Sequence, residues 1–83
     1  MGSVKCLLLL IVVCVRRRLA FSEALRLSGL KRSTAWDCAL SLEEKGMIEV
    51  KRVLTLAGPR TLLLCSEEGR KALDELKGLL GTL

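Results

Sequence analysis

Histidine and tyrosine are absent from the 83 residues, and phenylalanine and tryptophan occur once each, at Phe21 and Trp36. Without histidine the chain has no side chain whose ordinary pKa lies near neutrality, and it lacks the commonest metal ligand. The carboxylates do not replace it. Glu43-Glu44, Glu67-Glu68 and Asp74-Glu75 are sequence neighbours, and neighbours on a helix splay by about 100° and do not share a site. No glycine-rich loop of the phosphate-cradling kind is present. These gaps argue against an enzyme, a metal and a cofactor. The four cysteines, Cys6, Cys14, Cys38 and Cys65, are too widely spaced for a zinc pair. Each lies in an apolar pattern and reads as a buried thiol. A disulfide or redox-sensing pair is the other reading, and the sequence cannot pair them.

A long apolar span is also missing. Cys6 to Val15 is an unbroken run of ten residues, against the ~20 that a bilayer-crossing helix needs. A signal peptide would carry its basic cluster before such a run, whereas Arg16, Arg17 and Arg18 follow it. A membrane anchor is therefore not expected, and the expected location is the cytoplasm.

What is present is aliphatic and basic. Hydrophobic residues make up 51% of the chain, more than so small a domain can hide. A homodimer that buries the excess is the expectation. The net charge is +5, which suits a polyanion. Its distribution is more informative. Residues 1–35 carry seven basic and one acidic side chain, residues 36–50 one basic and four acidic, and residues 51–60 three basic and none acidic.

Phe21 to Val50 organises the rest. Ser22 can cap a short helix with Glu23 in its first turn, and Ser28-Gly29-Leu30 makes a corner that glycine can turn. A second helix from about Arg32 to Lys45 places Ala35, Cys38, Ala39 and Leu42 on one face. Ser33, Asp37, Leu40 and Glu44 point away, and Trp36 lies on the flank. Gly46 ends this helix. Before it, the run Val4–Arg18 reads as a helix apolar on every side, although Ile11, Val12, Val13 and Val15 leave some strand character. Leu19 to Phe21 can form a short strand. Met47 to Ala57 alternates as a strand, Gly58-Pro59 marks a turn and Arg60 to Cys65 returns. Ser66 caps a last helix whose stripe is Leu73, Leu76 and Leu80.

The segments SGLKRSTAWDCALSLEEKGMIEV and GPRTLLLCSEEGRKALDEL resemble the winged helix-turn-helix transcription regulators of the MarR-like and ArsR-like kind. The resemblance covers roughly Leu19 to Leu76. It implies an α+β fold, with three or four helices and an antiparallel wing sheet of two or three strands. One domain over residues 1–83 is expected, with a first helix at about 3–17, the helix-turn-helix at about 22–45, the wing at about 48–65 and the last helix at about 66–80. It also implies a homodimer that binds double-stranded DNA sequence-specifically, with the second helix of the motif in the major groove and the wing on the flanking backbone. The residues assigned to DNA on that basis are Lys31, Arg32, Ser33, Thr34, Trp36 and Asp37 on the recognition helix. Lys51, Arg52 and Arg60 are assigned on the wing, with Arg16, Arg17 and Arg18 beside the groove. The expected subunit interface is Leu7, Leu9, Leu10, Val13, Leu73, Leu76 and Leu80. The other reading is a winged helix whose recognition face docks a protein, with Trp36 and Leu40 as anchors.

Overall fold

The computed structural model describes residues 3–81. Its elements are α1 (Ser3–Arg16), β1 (Arg18–Ala20), α2 (Phe21–Ser28), α3 (Arg32–Glu44), β2 (Ile48–Thr55), β3 (Gly58–Cys65) and α4 (Glu67–Gly81). Four helices and a three-stranded antiparallel sheet, in strand order β1-β3-β2, form a small α+β winged helix-turn-helix.

The apolar run becomes α1 although β-branched residues are poor helix formers, because packing outweighs propensity. The helix has two apolar faces. Leu9 and Val13 are fully buried, and Leu10 and Cys14 nearly so. On the opposite side Val4, Leu7, Leu8, Ile11 and Val15 form a second stripe at helical spacing. Val4 and Val15 are largely exposed, Leu7 and Leu8 are each 40% exposed, and Ile11 is half-buried. This corrects part of the expected subunit interface. Leu9, Leu10, Val13 and Leu73 belong to the chain's own core, and side chains that keep almost no water-accessible surface have almost none to give a second copy. Leu7 and Leu80 stay exposed, and Leu76 is half-buried.

The cysteines are not free thiols. Cys6 is bonded to Cys38 and Cys14 to Cys65. One bridge ties α1 to α3, and the other ties it to the end of β3. Both half-cystines of α1 stand beside its buried stripe, so the bridges hold down the face that carries the core.

β1 runs directly into α2, and Phe21 enters the core at once. Ala20 therefore occupies the N-cap position without a side-chain hydrogen bond, and Ser22 lies inside the helix. α2 closes at Gly29, at φ +71°, whose N–H donates to the Leu25 carbonyl at 2.9 Å. α3 begins uncapped at Lys31, since an ammonium cannot accept from the orphan amides. It ends at Gly46, φ +75°, where Gly46 donates to the Glu43 carbonyl and Met47 to that of Leu42, each at 2.9 Å. This paired arrangement re-satisfies the last carbonyls.

In the sheet, Ile48, Val50 and Arg52 share a face, opposite Cys65, Leu63 and Thr61. The wing's turn lies earlier than Gly58-Pro59. Thr55 pairs with Gly58, so the loop is the two residues Leu56-Ala57. The Thr55 hydroxyl donates to the Gly58 carbonyl at 2.6 Å and accepts from the Ala57 N–H at 3.2 Å. Pro59 fits within β3 because β1 covers only Leu62 to Leu64, leaving an open edge beside the proline. The Ser66 hydroxyl accepts from the Gly69 N–H at 3.1 Å and donates to the Gly46 carbonyl. A Cβ at Gly69 would collide with the Met47 carbonyl and stand 3.2 Å from the sulfurs of Cys14 and Cys65. Glycine there lets α4 lie against the second bridge.

The bridges span 32 and 51 residues of sequence, for which chain entropy gives about 4 kcal/mol each. Reduction by dithiothreitol should lower the urea midpoint substantially. An unchanged midpoint, with thiol titration proving reduction, would contradict these bridges.

Candidate functional site

α3 presents its surface through the way its other side is held. Ala35 and Ala39 have no exposed surface, Cys38 is bonded to α1, and Leu42 is buried. Small residues let the helix lie close, and the bridge fixes its rotation. Lys31, Arg32, Ser33, Asp37 and Leu40 then face solvent, and Thr34 is half-buried.

Trp36 is half-buried because it packs on Phe21. The two rings meet edge to face, with centroids 5.5 Å apart and planes at 85°, a favoured arrangement for opposed quadrupoles. The Arg32 guanidinium carbon stands 5.9 Å from the centroid of the Phe21 ring, within cation–π range. Phe21 thus contacts both Trp36 and Arg32 at the start of α3. Its role was missed in the sequence, where its only mark was being one of two aromatics.

Phe21, Arg32, Trp36, Arg52 and Thr61 line an open hollow of about 260 Å³ between α3 and the wing. A second, of about 260 Å³, is bounded by Arg32, Pro59, Arg60 and Thr61 together with Ala20 to Ser22. Arg32 borders both. Of the wing cations, Arg52 borders one hollow with Arg32 and Trp36, and Arg60 borders the other with Arg32. Strand alternation puts Lys51 on the other sheet face, with Val53 and Arg60. The assigned wing residues therefore divide between the two faces of the ribbon.

The arginines after α1 divide as well. Arg17 takes a left-handed turn, φ +71°, and its carbonyl accepts from the Cys65 N–H at 2.8 Å. It borders a hollow with Arg70, Asp74 and Lys77. Arg16 and Arg18 border another, with Glu23 and Arg26. Glu23 accepts both of its hydrogen bonds from Arg26, at 2.7 and 2.9 Å. That hydrogen bonding, then the Arg26 charge, with Arg16 adding, holds the Glu23 carboxyl below its ordinary range. Arg26 is thereby paired locally, and the three arginines do not form one patch.

The acidic end of α3 has structural work. Glu43 accepts from the Val50 N–H at 3.2 Å, occupying an amide of the edge strand. Among the described residues no cluster of His, Cys, Asp or Glu could hold a metal, and no helix is long and apolar enough to cross a membrane.

No protein-family model matches the chain, and no curated protein matches its sequence. Solved structures do match its fold. The Bordetella bronchiseptica regulator BpsR, whose DNA binding is regulated by 6-hydroxynicotinic acid, superposes with a TM-score of 0.77 at 10% identity, over 94% of this chain and 54% of that one. A transcriptional regulator homologue from Pyrococcus horikoshii OT3 gives 0.70 at 22% identity, over 88% and 76%. A PadR family transcriptional regulator from Eggerthella lenta DSM 2243 gives 0.71 at 18%, over 90% and 72%. The chain spans about half the length of BpsR.

Trp36 is the sole tryptophan, so tryptophan emission reports the surroundings of this one ring. Phe21→Leu should cost about 1–2 kcal/mol in urea and shift Trp36 emission to longer wavelength. Unshifted emission in a folded variant would contradict the Phe21–Trp36 packing.

Proposed function

We propose that this chain is a double-stranded-DNA-binding transcription regulator that acts as a homodimer, with α3 in the major groove and the β2–β3 wing on the flanking backbone. One observation carries the reading: Arg32 on α3 and Arg52 on the wing border the same open hollow. A duplex laid along the exposed start of α3 meets both. Arg32 and Arg52 suit the phosphates that border the groove, and Asp37 can accept from cytosine N4. Lys31, Ser33 and Thr34 supply donors to phosphate or base edges beside them. Lys51, on the other face of the ribbon, and Arg60, which borders the second hollow with Arg32, supply further phosphate contacts, and Arg16 and Arg18 stand at the periphery. The folds of the three regulators above support the reading. The ligand response of BpsR is not carried over to a chain half as long. The docking alternative is weakened by Trp36, whose ring is engaged with Phe21, although Leu40 remains 41% exposed. The role is one of binding, without catalysis.

The dimer reading rests on the outer stripe of α1. Val4, Leu7, Leu8, Ile11 and Val15 line one side of the helix, and Leu80 on α4 is 61% exposed. A second copy related by a two-fold axis covers the same stripe on both chains, and half-sites are then spaced by about 34 Å or a multiple of it. We place the regulator in the cytoplasm. Two disulfides in a cytosolic chain are rare outside hyperthermophiles.

Binding to a random-sequence duplex, followed by fluorescence anisotropy across salt concentration, tests the interface. The affinity of the wild type should fall steeply with salt, and Arg32→Ala with Arg52→Ala should reduce the log–log slope by about two, roughly one for each lost phosphate contact. Equal affinity and slope in the double variant would refute the shared surface. For the dimer, Leu8→Glu should sediment as a folded monomer, whereas Leu9→Glu should unfold, because it buries a charge in the core. A stable Leu8→Glu dimer would refute the α1 interface.

A further inference from the structure

We propose that the hairpin tip, Leu54 with Leu56, is an apolar wedge that enters the minor groove of the bound duplex and opens a base-pair step. The proposal rests on the DNA reading above and adds a specific role for residues not assigned to DNA from the sequence.

Leu54 is 86% exposed, and Leu56 is as exposed as a leucine can be, at 111% of the reference value. Each is far more exposed than the leucines on α1. Leu54 lies at the end of β2 and Leu56 in the short loop after it, and the Thr55 hydroxyl between them is tied to both Ala57 and Gly58. A tied loop holds its apolar side chains outward, which a solvated turn has no need to do.

The surroundings select the partner. No acidic residue occurs between Glu49 and Glu67, and strand alternation sets Arg52 on one face of the ribbon and Lys51 with Arg60 on the other. Cations on both faces of a ribbon match a groove walled by two phosphate strands. The tip is also continuous with the surface of α3. Leu54 shares the face of Arg52 and lies opposite Pro59, and Pro59 bounds a hollow with Arg32. A planar anionic surface touching the tip alone would leave Arg32 without a role.

Leucine has no donor or acceptor, so it cannot read base edges through hydrogen bonds. In a groove it can displace water and slip between stacked bases, unstacking them and bending the duplex toward the major groove. Pyrimidine–purine steps yield most easily, so the wedge would favour a TA step beneath the wing without contacting it by hydrogen bonds.

The test uses a duplex with 2-aminopurine beside a central TA step and a fluorophore at each end, bound by the full-length wild type and by Leu54→Ser with Leu56→Ser. Both positions are exposed, so the double variant should keep the wild-type circular dichroism and melting profile. The wild type should raise 2-aminopurine fluorescence and shorten the end-to-end distance. The variant should do neither, and should bind roughly tenfold more weakly with an unchanged salt slope, since every cation remains. Equal unstacking and bending by the two proteins would overturn the wedge while leaving DNA binding intact. Failure of the wild type to bind any duplex at low salt would remove the DNA reading and the wedge together. Leu56-dependent cosedimentation with phosphatidylserine vesicles, without duplex unstacking, would overturn the proposal in favour of a lipid surface.

Discussion

The fold depends on burying the inner face of α1. This chain has one phenylalanine and one tryptophan, so it cannot build a core around stacked rings. It builds one around an aliphatic helix placed against α2, α3, α4 and β3. Leu9, Leu10 and Val13 supply the apolar area, and the two bridges from α1 limit how far its neighbours can part. A small domain with a modest core gains most from such cross-links. The same choice leaves the other side of α1 apolar and uncovered within the chain.

The placement of α3 follows from that arrangement. Alanine and cysteine along its inner face permit close approach, and the bridge to Cys6 fixes its rotation. Charge is then sorted along its length. The start carries Lys31 and Arg32 and stands open beside the wing, while Glu43 near the end is turned to an amide of β2. The helix offers cations where a polyanion would arrive and uses its carboxylate where the sheet edge needs an acceptor. Phe21 links the two levels, being buried against the core while supporting Trp36 and Arg32.

Much of the fold was legible in the residues because local chemistry fixed it. Gly29 and Gly46 stand at positive φ where the helices close, and the small-residue face of α3 marks its buried side. Ser66 caps α4 as its hydroxyl chemistry suggests. What could not be read has a common cause. A run that is apolar at every position carries no phase, so the sequence could not tell which stripe of α1 faces inward, and leucines of its core were taken for interface. Nor does local sequence pair cysteines brought together by packing. The wing turn was misplaced because Gly-Pro is a strong turn pair, but the register set by Val50 opposite Leu63 moved the loop to Leu56-Ala57. The candidate site was legible in the cations and not in their sides, since strand alternation separates Lys51 from Arg52 and the turn at Arg17 separates it from Arg16 and Arg18.

In the proposed complex, the exposed start of α3 and the wing form one continuous DNA-facing surface, on the side of the molecule away from the outer stripe of α1. Titration of the isotopically labelled protein with a duplex, followed by amide chemical shifts, maps that surface. The perturbed amides should cluster at Lys31 to Asp37 and along the hairpin from Arg52 to Arg60, with the Val4 to Val15 helix unaffected. Perturbations confined to α1 and α4, with α3 and the wing silent, would contradict it.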